Sequence, residues 1–408
     1  MRRHIALIVI ALGLAACGQA GVAATPTPTP RPTATSIPVV GEDDVQPTEE
    51  PTPLPVQEAE ALQPVGPETF PPNVNPLTGI AVPEEEVEER LDHRPILIKV
   101  SNNPPSFVLP HAGLQQSDHV WEHQVEGFAL TRFTAVVYGD SPQRVGSVRS
   151  GRPPDLEMVP MYQSLYVSSG FSTNSGNAEE PWRMREYMLN APWFERNFSA
   201  EFGYGVPYNI RTEDRQAPHN LFAVPQAIWE EADNKGINER PDLTGLAFDP
   251  APPQGGTPTA EFIIDYPGSG PRVTWRWDEE RAAWLRWTTD DFGEDVEHID
   301  DLTDEQLAFE NVVVIFALHT NTDWPEDVAT GAPAVAIDLF GTGEGYLLRN
   351  GERYPITWER AGSESDDFIQ LLGPDGTVIA LMNGRTWFQL SSQGIDSPEL
   401  FFDGERAE

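Results

Sequence analysis

Apolar and polar positions in the first half of the chain predict a mixture of strands and helices. Runs of apolar, β-branched and aromatic residues predict strands at 95–100, 133–138, 145–148, 165–167 and 208–210. The segment 118–126 suits either a strand or a short helix, and we favour a strand. Helices are predicted at 153–162, 177–190 and 225–235, and Pro225 suits the first position of the last one.

The second half has a different pattern, which begins after a Pro- and Gly-rich stretch at 248–256. Short strands recur there, with turn-forming sequences such as Pro374-Asp375-Gly376 between them. The predicted strands are 260–266, 272–277, 282–288, 311–318, 334–340, 345–349, 354–359, 368–372, 377–381 and 386–390. This pattern predicts a mostly antiparallel β structure.

The fold class that follows from both halves is α+β. A length of 408 residues corresponds to about two domains of ordinary size. We predict a mixed α/β N-terminal domain at 76–247, a linker at 248–258, a mostly antiparallel β-rich C-terminal domain at 259–392 and a tail at 393–408.

The first 17 residues have the pattern of a bacterial lipoprotein signal peptide. Arg2 and Arg3 precede the apolar run Ile5–Leu14, which is shorter than the roughly 20 residues that span a bilayer. Small residues then lead to Cys17, which would carry diacylglycerol after cleavage. An ordinary secretory signal is the alternative, but Cys17 is the only cysteine and cannot form an intramolecular disulfide. We therefore expect an extracytoplasmic protein, lipid-anchored to the cell membrane.

Residues 18–75 are predicted to be a disordered linker. Thr-Pro repeats at 25–30 give way to a segment rich in Pro and Glu. Such a composition buries too little apolar surface to offset the entropy of ordering, and its prolines favour extended polyproline segments. The linker would hold the folded part away from the membrane.

The charge of the chain narrows the class of partner. A formal net charge of −38 argues against binding to nucleic acid and against electrostatic attraction of the whole protein to anionic lipid or teichoic acid. The basic residues are nearly all arginine, with only Lys99 and Lys235 as lysines. No phosphate-binding loop or dinucleotide-binding glycine pattern is present, and no cofactor is predicted.

Short motifs distributed along the chain resemble a known family, the YerB-like lipoproteins, which are defined by N-terminal and C-terminal DUF3048 domains. The resemblance covers residues 75–390 and implies two domains of mixed α and β structure, without implying an activity. The matching residues are Pro76-Leu77-Thr78-Gly79, Arg94-Pro95, Asn102-Asn103, Gly113-Leu114, Ser117-Asp118, Glu122, Val125-Glu126-Gly127, Thr131-Arg132-Phe133, Gly146-Ser147-Val148-Arg149-Ser150, Arg152-Pro153, Ala217-Pro218-His219-Asn220-Leu221, Gly341-Thr342-Gly343-Glu344-Gly345, Trp358 and Trp387.

A group of arginines near short polar loops is the candidate binding site. Guanidinium groups hold phosphate or carboxylate in bidentate geometry, and hydroxyl groups and loop amides add donors. The alternative is a structural network in which these arginines pair with internal acids. The candidate anion-binding residues are Arg132, Arg144, Ser147, Arg149, Ser150, Arg152, Arg215, His219 and Asn220.

Catalysis by the same site would require a general acid or base beside the arginines. The candidates are Asp118, Glu122, Glu126 and His219. From Phe133 to Arg152, the order of strand, turn and strand followed by Ser and Arg also resembles the LytR-CpsA-Psr enzymes. Those enzymes use arginine to hold a polyprenyl pyrophosphate. Thr131-Arg132 stands here where an acidic residue is expected before the first strand.

Two further patterns are candidates for chemistry. His119-Val-Trp-Glu-His123 matches the His-x-x-Glu-His pattern of zinc peptidases, but that pattern requires a helix, so no metal site is assigned. Trp275 and Trp277 share one face of a predicted strand, whereas Trp284 and Trp287 point to opposite faces. We assign most of these rings to the core, with a sugar- or protein-binding platform as the alternative.

The sequence therefore predicts an envelope lipoprotein that is not an evident enzyme. It would bind peptidoglycan, another cell-wall polymer or an envelope protein through the arginine site. The alternative function is a cell-wall-modifying enzyme, a glycopolymer transferase or hydrolase, that acts on a phosphate- or carboxylate-bearing substrate at the same residues.

Overall fold

A computed structural model describes residues 63–171, 183–327, 330–363, 366–394 and 396–407. Cys17, the predicted signal peptide 1–17 and positions 18–62 of the predicted linker lie outside the described residues. So does the first part of the helix predicted at 177–190.

The first half contains the helices and short strands that its sequence pattern predicts. The α-helices are α1 (Val87–Arg90), α2 (Pro105–Val108), α3 (Asp155–Met161), α4 (Arg183–Asn190) and α5 (Pro225–Asn234). Short 3₁₀ helices lie at Glu84–Glu86, Phe194–Arg196 and Ala200–Phe202. The strands are β1 (Ile96–Ser101), β2 (His119–Val125), β3 (Leu130–Val137), β4 (Val145–Gly146), β5 (Leu165–Val167), β6 (Asn209–Arg211) and β7 (Leu221–Ala223).

The second half is built from strands throughout its described residues. They are β8 (Thr257–Pro258), β9 (Glu261–Asp265), β10 (Arg272–Asp278), β11 (Ala283–Thr289), β12 (Asp295–Glu297), β13 (Ile299–Asp300), β14 (Glu305–Gln306), β15 (Ala308–Phe309), β16 (Asn311–Phe316), β17 (His319–Asp327), β18 (Ala332–Ile337), β19 (Gly341–Arg349), β20 (Glu352–Arg360), β21 (Gln370–Leu372), β22 (Thr386–Ser391), β23 (Glu399–Phe402) and β24 (Glu405–Arg406).

A ten-stranded sheet runs through both halves. Its strand order is β21-β20-β19-β16-β22-β2-β3-β1-β5, with β8 paired to β20. The strands β16, β22 and β2 are parallel to one another at its centre, and most flanking pairs are antiparallel. The domain boundary at 248–258 stays a prediction. Strands from both sides of it belong to this one sheet.

Both faces of the central sheet are buried, which explains the continuous apolar run Val312–Ile315 in β16. One face packs against α3 and α4, and Trp121, Tyr166 and Phe388 belong to this core. The other face packs against α5 and a second, seven-stranded sheet of order β12-β11-β10-β9-β23-β24, to which β15 also pairs. Because side chains alternate along a strand, neighbouring residues such as Val120 and Trp121 enter opposite cores.

The predicted fold class is confirmed. Mixed helices and sheet strands make up the first half, and antiparallel sheets dominate the second. The segment 118–126 forms the strand β2, as we favoured. Trp275 and Trp284 are fully buried, and Trp277 and Trp287, in β10 and β11, are partly exposed.

Two segments differ from their sequence-based description. Val65, in the part of the predicted linker that the structure describes, exchanges backbone hydrogen bonds with Phe248 (2.9 Å each), and Val74 and Asn75 are buried. The predicted tail contains β23, which pairs with β9 and buries Leu400 and Phe402. In both cases a few apolar residues find partners that local composition does not reveal.

Candidate functional site

Three of the predicted arginines come from two neighbouring segments. Arg132 lies in β3, and Arg149 and Arg152 lie in the loop that connects β4 to α3. The main chain holds this loop against the sheet: Arg149 N donates to Lys99 O (2.9 Å) and Val148 N donates to Leu221 O (2.7 Å). These bonds fix the points from which the guanidinium groups extend.

Two carboxylates neutralise Arg152. Its Nη2 donates to Glu126 Oε1 (2.6 Å), and its Nη1 lies 3.1 Å from Glu326 Oε1. Burial acts to lower the pKa of Arg152, but Glu326 and Glu126 outweigh it and raise the pKa above its ordinary value. Arg132 contacts the same Glu126 at a longer distance, 3.4 Å between Nη2 and Oε1. Burial lowers the pKa of Arg132 to about 9, opposed by Glu126 and reinforced by Arg152 and Arg149.

Arg149 differs from its neighbours in that its side chain has no acceptor among the described residues. The residue is half-buried, and no hydrogen bond or ion pair joins its guanidinium group to the described residues. Burial and the nearby charge of Arg152 lower the pKa of Arg149, and Glu126 opposes them only in part. A cation is therefore held partly out of water beside another cation.

His219 completes a group that we call the basic cluster: Arg132, Arg149, Arg152 and His219. Burial, followed by the charges of Arg149 and Arg132, lowers the pKa of His219 to about 4, so its ring is neutral at neutral pH. Its Nδ1 is buried without a partner. The ring stacks on Phe107, which is 41% exposed, with 5.3 Å between the ring centroids.

Charge in the basic cluster is not balanced. Among the described residues, Arg132 and Arg152 contact the carboxylates of Glu126 and Glu326, and Arg149 contacts neither, so three guanidinium groups stand against two carboxylates. Two adjacent serines do not add free donors. Ser147 Oγ donates to the carbonyl of His219, and Ser150 Oγ donates to Ser169 O (3.1 Å).

A buried ion pair between Lys99 and Asp155 lies next to the basic cluster and helps to position it. Lys99 Nζ lies 2.5 Å from Asp155 Oδ1 and contacts Thr134 Oγ1 (2.5 Å) and His123 Nε2 (2.9 Å). Asp155 Oδ2 in turn accepts from Arg152 N (2.8 Å). Burial lowers the pKa of Lys99, against the attraction of Asp155. This pair fixes the start of α3 and the main chain of Arg152.

The other predicted arginines form a second group. Arg144 Nη2 donates to Asp301 Oδ2 (2.5 Å), and Arg215 Nη2 lies 3.6 Å from the same oxygen. Arg215 also donates to two backbone carbonyls, and both guanidinium groups lie over the ring of Phe222. Asn220 bonds with Arg211 and with the carbonyl of Thr212. None of these contacts connects Arg144, Arg215 or Asn220 to the basic cluster. Arg144 and Arg215 instead have internal partners.

Two of the proposed acid–base residues lie elsewhere. Asp118 accepts from Asn75 Nδ2 (2.6 Å) and from the backbone of Tyr138 (2.7 Å), and burial raises its pKa to about 6. Glu122 accepts from Arg286 Nη2 (2.8 Å) in a fully buried pair. Of the four candidates, Glu126 contacts Arg132 and Arg152, and His219 is itself a member of the basic cluster, where the charges of Arg149 and Arg132 help to lower its pKa.

Sequence reasoning missed the Glu122–Arg286 pair. Arg286 also donates to His298, which contacts His111 (2.7 Å between ring nitrogens). Arg286 lies over the ring of Trp387, 4.6 Å from its centroid. A signal was present: in β11, Trp284, Arg286 and Thr288 alternate on one face, and all three are buried.

The His-x-x-Glu-His pattern does not form a metal site. His119 and His123 both lie in β2, where four residues of extended chain separate them by roughly 13 Å. Among the described residues, no group of three or more His, Cys, Asp or Glu side chains is arranged to hold a metal ion. No helix within those residues is long and apolar enough to cross a membrane.

Comparison with known proteins gives consistent matches across the chain. The family model "Protein of unknown function (DUF3048) N-terminal domain" matches residues 77–238, and the corresponding C-terminal domain model matches residues 262–388. "Putative lipoprotein YerB" of Bacillus subtilis (strain 168) is 24% identical over 323 residues, which cover 77% of this chain and 85% of that protein. The crystal structure of YerB from Bacillus subtilis has a TM-score of 0.62 at 22% identity and covers 80% of this chain and 99% of that one.

Proposed function

Because the chain belongs to the DUF3048 family, whose domains are described as of unknown function, we propose its function from its own side chains. It is a lipid-anchored, extracytoplasmic protein that binds a phosphate- or carboxylate-bearing component of the cell envelope at the basic cluster. Arg149 is the residue that contacts the anion, and Arg132 and Arg152 stabilise it.

The location is supported by the start of the sequence. Arg2 and Arg3, the apolar run Ile5–Leu14 and the following Ala15-Ala16-Cys17 form a lipoprotein signal pattern. The related Bacillus subtilis protein also has lipoprotein in its name. Two acyl chains on Cys17 give stable membrane attachment.

The unpaired guanidinium group of Arg149 is the observation that carries the binding proposal. A charged group that is partly removed from water without an acceptor is unfavourable. An anion that reaches Arg149 would supply the missing acceptor in charge-assisted, bidentate hydrogen bonds. Among the described residues, Nε has no acceptor in Arg149, Arg144 and Arg286 alike, so this atom alone does not set Arg149 apart from the other arginines. The difference is that the guanidinium groups of Arg144 and Arg286 have carboxylate partners.

Binding explains the site better than acid–base catalysis does. Asp118 and Glu122 are bonded away from the basic cluster, and Glu126 accepts from Arg152. His219 is neutral and buried, and a neutral imidazole beside Arg149 adds no negative charge to oppose an anion.

Calorimetric titration tests the proposal directly. The purified full chain in detergent micelles is titrated with inorganic pyrophosphate, and sedimentation with isolated cell walls measures binding to the natural surface. We expect Arg149→Ala to weaken both by about 10-fold to 100-fold, since a hydrogen bond to a charged group contributes roughly 1.5–3 kcal/mol.

Arg281→Ala is the matched control. It removes the same charge from an exposed position in the turn between β10 and β11. We expect wild-type binding from this variant, and circular dichroism should show both variants folded. Equal binding by Arg149→Ala and Arg281→Ala, or no binding by the wild type to either probe, contradicts the proposal.

A further inference from the structure

A cavity of about 380 Å³ has two arginines in its lining and shares no lining residue with the basic cluster. Arg94 lies two residues before β1 and belongs to the Arg94-Pro95 motif, for which the proposed function gives no role. Arg196 ends the 3₁₀ helix Phe194–Arg196. In a chain with a net charge of −38, two arginines that meet in one cavity need a physical explanation.

Hydrogen bonds hold the guanidinium group of Arg94 in one orientation. Its Nε donates to Ile237 O (2.9 Å), and its Nη1 donates to Gln163 O (2.7 Å). Its backbone N donates to Asn238 Oδ1 (3.0 Å), which fixes the same residue to the segment that follows α5. Nη2 has no partner among the described residues and is not enclosed, so a molecule in the cavity can reach it.

The side chain of Arg196 has no partner at all among the described residues. It is half-buried, yet its guanidinium nitrogens are open to the cavity rather than enclosed. Burial, followed by the charge of Arg94, lowers the pKa of Arg196 to about 10, and Glu195 opposes them. Both arginines therefore stay charged at neutral pH, and each is held near a like charge without a carboxylate partner.

Three exposed acidic residues, which we call the acidic lining, border the same cavity: Glu195, Glu239 and Asp366. Within the part of the chain that the structure describes, none of them forms an ion pair with either arginine. Glu239 and Glu195 nevertheless lie near enough to raise the pKa of Arg94 against the lowering effect of burial. The cavity thus holds positive and negative groups that are close but not in contact.

We infer that this cavity binds a zwitterion of the size of a free amino acid. The carboxylate of the ligand accepts charge-assisted hydrogen bonds from Arg94 Nη2 and from Arg196. The ammonium group of the ligand faces the acidic lining. The volume of the cavity lies near the lower end of the roughly 300–1,000 Å³ that is typical of small-molecule sites.

The charges of the lining favour a zwitterion over simpler ligands. A molecule with only negative charge is attracted by two arginines but repelled by three carboxylates, and a molecule with only positive charge meets the reverse. An uncharged molecule leaves the free nitrogens of both arginines without the charged acceptor that compensates best for partial burial. A ligand with both charges, separated by two or three bonds, satisfies both sides at once.

Saturation-transfer NMR at neutral pH, with the full chain in detergent micelles, tests this inference. The probes are L-alanine, propionate, which lacks the ammonium group of L-alanine, and ethylamine, which lacks its carboxylate. We expect L-alanine to bind about 10-fold more tightly than either comparator, since each comparator loses one charged contact. Inorganic phosphate, which carries only negative charge, should not displace L-alanine at equal concentration.

Arg196→Met removes the carboxylate contact without breaking any internal bond. We expect this variant to bind L-alanine at least about 10-fold more weakly than the wild type, as for the loss of a hydrogen bond to a charged group. Arg281→Met is the matched control, since Arg281 is exposed and does not line this cavity. Circular dichroism should show both variants folded.

Glu195→Gln tests the ammonium contact and gives a readout that loss of structure cannot imitate. L-Alanine binding should weaken about two-fold to five-fold, as for a solvent-exposed ion pair. Propionate binding should strengthen, because one repelling charge is removed. Arg149→Ala should bind L-alanine as the wild type does, so a failure of this inference and a failure of the proposed anion site are distinguishable.

Four results would overturn the inference. They are an absence of L-alanine binding to the wild type, binding of propionate or ethylamine as tight as that of L-alanine, displacement of L-alanine by phosphate at equal concentration, and an Arg196→Met variant that binds L-alanine as well as Arg281→Met.

Discussion

The Glu122–Arg286 pair and the basic cluster both place guanidinium groups away from water, but they differ in what surrounds the charge. Arg286 is fully buried, with one carboxylate, a histidine and aromatic rings as its neighbours. Arg149 is half-buried and lies beside other arginines, with no acceptor of its own among the described residues. The first arrangement is closed, and the second is the one at which we propose that an anion binds.

This difference gives a criterion that separates an arginine that stabilises the fold from one for which we propose a ligand. A closed pair loses much when one partner is removed, because the remaining charge is buried alone. An arginine in excess loses little, because no internal carboxylate depends on it. Stability measurements on matched variants can therefore test the comparison.

The largest effect is expected from Arg286→Met. Removing one partner of a buried ion pair costs about 3–5 kcal/mol, because Glu122 would then be buried without its counter-ion. Urea denaturation followed by tryptophan fluorescence should show this loss in the free energy of unfolding. The double variant Glu122→Leu with Arg286→Met should recover part of it. A loss under about 1 kcal/mol in the single variant would mean that the pair is not closed as described.

A smaller effect is expected from pH acting on His111, which contacts His298 in the same closed region. Burial lowers the pKa of His111 to about 3, so the unfolded chain binds a proton below about pH 6.5 and the folded chain does not. The unfolded state therefore gains stability as the pH falls from 6.5 towards 3.

His111→Gln isolates that contribution. Between pH 6.5 and pH 5, the free energy of unfolding of the wild type should fall by about 1.7 kcal/mol more than that of the variant, since a full proton contributes about 1.4 kcal/mol per pH unit and the unfolded histidine is half-protonated at about pH 6.5. Asp118 cannot produce this difference, because it is present in both proteins. Its raised pKa of about 6 also acts in the opposite direction, since its contribution to the free energy of unfolding falls as the pH rises. Equal pH slopes would show that His111 is protonated in the folded state.

The smallest change is expected from Arg149→Met. The free energy of unfolding should change by less than about 0.5 kcal/mol, as for substitutions that break no internal contact. NMR titration gives a second measurement, in which the pKa of His219 should rise from about 4 when the charge of Arg149 is removed. The rise will be partial, because burial is the larger cause. A strongly destabilised variant would place Arg149 in the same class as Arg286.

The alternation of apolar residues was sufficient to predict much of the central sheet. β1, β3 and β5 lie where their β-branched runs indicate, and Arg94-Pro95 directly precedes β1. The same alternation in β11 would have identified Arg286 as a buried charge. Local sequence is informative here because each strand carries the periodicity of its own two faces.

The split of the predicted arginines could not be read from the sequence. Arg144 is neutralised by Asp301, which lies 157 residues further along the chain. Arg152 finds Glu326 in β17, a strand we did not predict. Neighbours in space that come from distant segments decide which cations are paired, and neither composition nor spacing specifies them.

The position of β22 in the sheet has a consequence for how the chain acquires its fold. β22 lies between β16 and β2, and Ser392, just after it, bonds with Gln124 across 268 residues of sequence. A polypeptide delivered amino end first cannot complete its central sheet until residue 391 has emerged. Until then, the edge of β2 offers unpaired amides and carbonyls to any passing strand. Contacts between residues so far apart in sequence also slow folding. Emergence of the polypeptide and completion of its central sheet are therefore separate events in time.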